Sequence, residues 1–318
     1  MNNKQIYQKT LGFSLWRVLW DLIAVVAFVG FSAAGFFIAN QSGDAAIIGL
    51  AIGAVIGGVC AYLIVHFIAY TYKAGQIAMM AEGVTTGRLP EDTIGAGKKI
   101  VKERFATVAA YYAITGVIKG IFSQIGNGIT AVGKAVGGDT GGAVGGTISS
   151  VINTIVAYLC DCCLGWVFYR KDEKASRATL EGAAIFFKHG KTLIKNLGRV
   201  FGISLVSFLV IGGVFFGITY LILMAAPGAM EGLAEAIESS GQNTPEWLTN
   251  VNILMLICSG VVGVVMWSIL HSTFVRPFIL VGVLRNFIKS GIENMPSESE
   301  FNELDKKSNK FAKLHSEV

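Results

Sequence analysis

Long uncharged runs constrain this chain more than any other feature. About 18 or more apolar residues, at 1.5 Å per residue, cross about 30 Å of hydrocarbon. Six runs approach or exceed this length: Leu22–Ala39, Ala45–Tyr72, Phe105–Ile118, Ala143–Tyr169, Val200–Ala226 and Val251–Val275. Of the 318 residues, 53% are apolar and 15% are charged, against roughly 25% charged in a soluble domain. The sequence predicts an all-α integral membrane protein with six transmembrane helices.

The third run is the shortest, because Lys119 ends its uncharged stretch. The apolar stems of Lys102 and Arg104 can lengthen it by reaching the interface. A re-entrant or interfacial segment is the alternative for this run.

The positive charges fall on one side of the predicted helices. Six spans place both termini and the loops 73–104 and 170–199 together, and these hold all 26 Lys and Arg residues except Lys119 and Lys134. By the positive-inside rule, both termini are predicted to be cytoplasmic, in a multi-pass protein of the cell membrane. Omitting the third span alone would move the loop 170–199 to the other side. The charge is thus a sign of topology, and no nucleic-acid partner is expected.

The N-terminal residues lack the pattern of a cleaved signal peptide, so the first span is expected to serve as the targeting signal. An arginine precedes each odd-numbered span, at Arg17, Arg104 and Arg199. Three tandem helical hairpins in the same orientation are therefore predicted within one membrane domain, residues 1–290. Their approximate bounds are 11–88, 89–190 and 191–290. Shared topology without common ancestry is the alternative.

Short amphipathic segments lie between and after the spans on the predicted cytoplasmic side. The segment 180–196 contains both basic and apolar residues. In the tail 291–318, Ser297 and Glu300 have the spacing of a capping box. A further short helix is predicted before the third span, capped by Asp92 or Thr93. We expect helices at the membrane surface, with the bilayer as partner and anionic lipid as a further ligand of the basic faces.

Small residues recur every four positions in several spans. Such stripes let membrane helices approach closely, so Gly49, Gly53 and Gly57 in span two, and Gly213 and Gly217 in span five, are predicted packing positions. A longer series of small residues runs from Gly133 to Ala157. Its paired glycines weaken the helix, and a broken start of span four is predicted to line a cavity.

Three ionisable residues lie at similar depth in the even-numbered spans: His66, Asp161 and His271. Ionisable groups inside a membrane are by default functional candidates, and two imidazoles beside a carboxylate can bind a cation or carry protons. The alternative is that each is a structural polar residue close to the interface.

Three cysteines flank the carboxylate: Cys160, Cys162 and Cys163. They are interpreted as packing residues, with reversible palmitoylation as one alternative and metal or redox chemistry as another.

Catalytic motifs are lacking. Gly128–Lys134 matches the first part of a phosphate-binding loop, but Ala135 replaces the required Ser or Thr. No metal-ligand or nucleophile motif occurs, so no catalytic residue, metal or cofactor is predicted, and an enzyme is not expected. The preferred function is a small-solute or ion transporter or channel. A membrane scaffold or partner subunit is the alternative, and an intramembrane enzyme is the third.

Overall fold

Helices make up all the regular structure in the described part of the chain. The computed structural model describes residues 1–41, 46–106, 108–137, 142–239 and 245–318 and, within 125–137, 142–155 and 189–201, the backbone alone. The α-helices are α1 (Asn3–Asn40), α2 (Ala46–Leu63), α3 (Tyr70–Thr86), α4 (Thr93–Arg104), α5 (Val108–Gly137), α6 (Gly142–Tyr169), α7 (Ala175–Ser207), α8 (Gly213–Ala225), α9 (Gly228–Ser239), α10 (Glu246–Thr249), α11 (Val251–Leu270), α12 (Arg276–Glu293), α13 (Glu298–Asp305) and α14 (Asn309–Ser316).

Three π-helical segments join consecutive α-helices without a loop. Ile64–Ala69 connects α2 to α3, Phe208–Gly212 connects α7 to α8, and His271–Val275 connects α11 to α12. Such segments contain an extra residue per turn and often mark functional sites.

Within the described residues, four helical stretches are long and apolar enough to cross a membrane: Asn3–Ala39, Ile48–Thr86, Gly202–Ala225 and Val251–Glu293. They correspond to the predicted spans one, two, five and six. A fifth exists only if α4 and the following helix, bent by 81°, count as one broken span, and Val156–Tyr169 is a shorter apolar helix. The described residues thus support an all-helical membrane protein, while six spans in three hairpins are not confirmed.

The chain divides into two units. The span unit comprises Ser14–Tyr70 and Ile203–Arg276, and the core unit comprises Met1–Phe13, Thr71–Gly202 and Pro277–Val318. Large apolar side chains such as Val26, Ile38 and Leu209 are exposed in the span unit. A contiguous exposed apolar surface is unfavourable in water and is typical of a lipid-facing one.

Glycines bring α1 and α2 of the span unit together. A Cβ atom at Gly49 or Gly53 would overlap the backbone of α1, and one at Gly57 would lie 2.8 Å from the carbonyl oxygen of Phe28. The two backbones therefore approach along the predicted stripe.

Gly263 of α11 lies close to the π-helical segment that precedes α8. A Cβ at Gly263 would lie 2.8 Å from the carbonyl oxygen of Gly212, whereas one at Gly213 or Gly217 would meet no atom within 4 Å. The structure therefore does not place Gly213 and Gly217 at this contact.

The core unit buries the segment that carries the predicted carboxylate. Tyr158, Trp166 and Phe168 of α6 are each at most 2% exposed. A Cβ at Gly291 of α12 would lie 2.5 Å from Trp166 of α6 and 2.5 Å from Ile185 of α7. The three helices α6, α7 and α12 are therefore in close contact. The second half of the predicted fourth span is therefore enclosed by protein.

The tail folds back onto the core unit. The capping box of Ser297 and Glu300 forms as predicted and starts α13. The apolar faces of α13 and α14 bury against α5 and α7, and so they are covered by protein rather than by a membrane surface. The residues of this tail cluster are Ile121, Leu180, Ala183, Ala184, Phe301, Leu304, Phe311 and Leu314.

Candidate polar site in the span unit

His271 lies at the centre of a hydrogen-bonded network between α7 and α11. Its Nε2 is 3.3 Å from Ser204 Oγ, and its Nδ1 is 3.1 Å from Ser207 Oγ. Ser207 Oγ also accepts a hydrogen bond from Trp267 Nε1 at 3.1 Å and donates to the carbonyl oxygen of Ser204 at 2.8 Å. Four side chains from two apolar helices thus form one polar site, the His271 network.

Helical spacing explains why these four residues meet. Ser204 and Ser207 are three residues apart, and Trp267 and His271 are four apart, so each pair shares a helix face. Ser207 ends α7 and His271 begins the third π-helical segment. The Trp267 ring also packs edge-on against Phe208, with centroids 5.1 Å apart. The network therefore lies where two of the three π-helical segments begin.

A charged residue of α1, Arg17, contacts the same part of the span unit. Arg17 Nη1 donates to the carbonyl oxygen of Ser272 at 3.3 Å. Asp21 lies one turn further along α1, on the same helix face as Arg17. Sequence reasoning missed Asp21 because the first span was counted from Leu22, after the last charge, whereas the apolar helix includes it.

His66, the first of the three predicted cluster residues, lies in the π-helical segment Ile64–Ala69. Its ring stacks on that of Tyr62, with centroids 3.8 Å apart and planes inclined by 25°.

Asp161 lies in the core unit, where its Oδ1 is 2.8 Å from Lys73 Nζ. The sequence did not predict this pairing of Asp161 with Lys73. The three predicted residues thus have different described partners, and joint action stays a prediction. In the described residues, no group of three His, Cys, Asp or Glu side chains is arranged to hold a metal ion.

The three cysteines around Asp161 are free thiols, and Cys162 and Cys163 are fully buried. Cys163 Sγ is 3.7 Å from the carbonyl oxygen of Thr179 and packs where α7 has a glycine, Gly182. This environment favours the packing interpretation, since a palmitoylating enzyme needs an accessible thiol. Cys160 is partly exposed.

A second buried carboxylate, Glu181 of α7, was not predicted. It accepts a hydrogen bond from Trp166 Nε1 at 3.0 Å and lies 3.5 Å from Arg170 Nε. Burial raises the pKa of Glu181, although the hydrogen bond from Trp166 and the charges of Arg170 and Arg177 oppose this shift. The burial of Glu181 was not predicted because a charged residue in the amphipathic segment 180–196 is expected to face solvent.

Comparisons with known proteins do not identify the chain. No family model, no curated protein and no solved structure matches it. Functional assignment therefore depends on the chemistry of the sites. Among these, the His271 network joins an ionisable group to two hydroxyl groups inside candidate membrane spans.

Proposed function

We propose that this chain is a multi-spanning membrane transport protein for a small solute or ion, with proton binding at His271 as part of its cycle. The His271 network is the observation that carries the proposal. Polar and ionisable residues in membrane spans are costly and mark substrate, ion or proton pathways. Hydroxyl groups on both sides of the histidine supply hydrogen-bond partners for both ring nitrogens.

Proton flux into proteoliposomes tests the proposal. Vesicles loaded with a pH-sensitive dye receive an inward proton driving force from a potassium gradient and valinomycin. We expect the protein to acidify the lumen faster than occurs in protein-free vesicles, and His271→Gln to lower the rate at least tenfold towards that background. His315→Gln, a substitution in the tail, is the matched control and should leave the rate unchanged.

Equal rates for the native protein and protein-free vesicles would contradict proton-linked transport. If His271→Gln conducted protons as fast as the unsubstituted protein, His271 would not be part of the proton pathway. The first result would favour the scaffold alternative, since the glycine contact between α1 and α2 serves assembly equally well. Co-purification of one stoichiometric protein would then be the supporting result for a scaffold.

We further propose four spans, with both termini and residues 71–202 in the cytoplasm of a cell-membrane protein. This topology places all 26 Lys and Arg residues on one side, without the exceptions Lys119 and Lys134 that six spans require. The positive-inside rule is therefore satisfied at least as well. Spans three and four are omitted together, so the loop 170–199 keeps its side.

A cysteine at position 119 distinguishes the two topologies. Lys119 is exposed, and six spans place it outside whereas four place it inside. In a background without the five native cysteines, we expect Lys119→Cys in intact cells to resist a membrane-impermeant maleimide. Trp247→Cys, in the loop predicted to be external, should be labelled in the same cells. Labelling of Lys119→Cys before lysis would support six spans instead.

A further inference from the structure

Hydrogen-bond accounting at Ser207 determines which nitrogen of His271 carries the proton. A serine hydroxyl has one hydrogen to donate and two lone pairs to accept with. Its oxygen has three neighbours here: the indole N–H of Trp267, the carbonyl oxygen of Ser204 and Nδ1 of His271. Trp267 can only donate and the carbonyl can only accept. The Ser207 hydrogen therefore satisfies the carbonyl, and Nδ1 must donate.

The opposite assignment loses a hydrogen bond. If Ser207 donated to Nδ1, its contact of 2.8 Å with the carbonyl oxygen of Ser204 would bring two acceptors together without a hydrogen. The first assignment uses every donor and acceptor of Ser207, and the second does not. Buried polar groups are satisfied wherever geometry permits.

We infer that neutral His271 is held as the Nδ1–H tautomer by Ser207 and takes its second proton on Nε2, which faces Ser204. In the neutral state Ser204 Oγ donates to Nε2 across 3.3 Å. When a proton from water binds Nε2, the imidazole becomes an imidazolium, and Nε2–H donates to Ser204 Oγ instead. Only the Ser204 hydroxyl has to rotate. Ser207 is thus a positioning residue, and Ser204 lies on the side of proton entry.

The charged groups around His271 come from two helices. Arg276 lies five residues along its own helical stretch and interacts electrostatically with the ring. Arg17 reaches the adjacent Ser272 from α1, with Asp21 one turn away. The inference rests on the proposed function for its transport role, but the tautomer can be measured without transport.

Nitrogen-15 NMR of histidine-labelled protein in lipid nanodiscs tests the inference. The chain has four histidines, and the signals of His271 are assigned by their loss in His271→Gln. We expect a protonated Nδ1 and an unprotonated Nε2 in the neutral state, and protonation of Nε2 alone on acidification. Ser207→Ala should raise the Nε2–H to Nδ1–H ratio about fivefold, the factor given by loss of one hydrogen bond of about 1 kcal/mol.

Ser272→Ala is the matched control, because the Ser272 hydroxyl bonds only to the carbonyl oxygen of Ile269 in its own helix among the described contacts. It should leave the tautomer ratio unchanged. A predominant Nε2–H tautomer in the native protein, or an unchanged ratio in Ser207→Ala, would overturn the inference even if proton flux is observed. The expected tautomer without proton flux would contradict the proposed function and leave the hydrogen-bond assignment standing.

Discussion

Asp161 is the residue whose interpretation changes most once its surroundings are known. A carboxylate inside an apolar run predicts a functional group, because an unpaired charge in hydrocarbon is costly. In the core unit its side chain is 6% exposed and paired with Lys73, whose side chain is 34% exposed. Removing one member of a buried pair leaves the other without compensation. The pair therefore has a structural role that needs no transport step.

Asp161→Asn is expected to destabilise the core unit. A fully buried pair would lose about 3–5 kcal/mol, but solvent reaches Lys73, so we expect about 1–3 kcal/mol after screening. The measurement is thermal unfolding of the purified protein, followed by tryptophan fluorescence. Glu293→Gln breaks the exposed pair with Lys289 and should change stability by less than about 0.5 kcal/mol. Equal unfolding temperatures for the two variants would show that the Asp161–Lys73 pair is not stabilising.

At the scale of the helices, close approach in the span unit depends on where glycine lies relative to the neighbouring backbone. Gly53 and Gly58 are both in α2 and differ in this respect. A Cβ at Gly53 would overlap the carbonyl oxygen of Phe31, while one at Gly58 would meet nothing within 4 Å. The two positions separate the effect of packing from that of helix propensity.

Gly53→Ala should loosen the contact between α1 and α2, whereas Gly58→Ala should not. Overpacking costs about 1–3 kcal/mol, and alanine at an open helical position gains up to about 1 kcal/mol over glycine. Unfolding in mixed micelles of increasing SDS content measures the difference. If Gly53→Ala were as stable as Gly58→Ala, the backbones would not be in contact along this stripe.

The two predicted glycine stripes each lie within one regular α-helix, so the four-residue spacing stays on one face in both. A Cβ at Gly49, Gly53 or Gly57 would contact the backbone of α1, whereas one at Gly213 or Gly217 would meet no described atom within 4 Å. Residue spacing shows which positions share a helix face, but it does not show what that face contacts.

At the scale of the whole molecule, the last helices close the core unit by ion pairs as well as by apolar packing. Arg177 Nη2 lies 2.7 Å from Glu298 Oε1, and Lys188 Nζ lies 2.7 Å from Glu300 Oε1. The Arg177 guanidinium also lies over the ring of Phe301, 4.6 Å from its centroid. The tail thus combines a buried apolar face with charges that titrate.

Tail docking is expected to weaken in acid. Hydrogen bonds from Arg177 and Lys188 lower the pKa values of Glu298 and Glu300, respectively, below the ordinary value of 4.5. A lowered carboxyl pKa contributes stability above its ordinary value, and that stability is lost as the pH falls through the lowered value. Spin labels attached at the exposed positions Lys174 and Asn302 report the distance between the tail and α7. We expect the distribution of this distance to broaden below about pH 4.5.

The double variant Glu298→Gln with Glu300→Gln is the control for this titration. Without the two carboxylates, the ion pairs are absent at every pH, so the label distances should lose most of their pH dependence between pH 7 and 3. An unchanged acid response in the double variant would show that the two carboxylates do not cause the broadening.

The amino-acid sequence by itself determined the helical class, the four long apolar stretches and the cap of the tail. These follow from local chemistry: run length, residue spacing and side chains that bond to the adjacent backbone. His271 was also identified from sequence, as an ionisable residue in an apolar run. Its hydroxyl partners Ser204 and Ser207 were not, because a serine in a membrane helix usually bonds to its own backbone.

Only the tertiary structure decided what covers each apolar face and neutralises each buried charge. The basic amphipathic segment 180–196 and the tail 291–318 carried the pattern of membrane-surface helices. Apolar residues of both nevertheless lie in the tail cluster, among them Leu180 and Ala184 of the first and Phe301 and Phe311 of the second. Asp161 forms an ion pair with Lys73, and Glu181 accepts a hydrogen bond from Trp166, in each case from another helix. The physical reason is that a hydropathy pattern shows only which surfaces are more stable when they are removed from water. Either lipid or protein can cover such a surface, and long-range contacts decide which of the two does so.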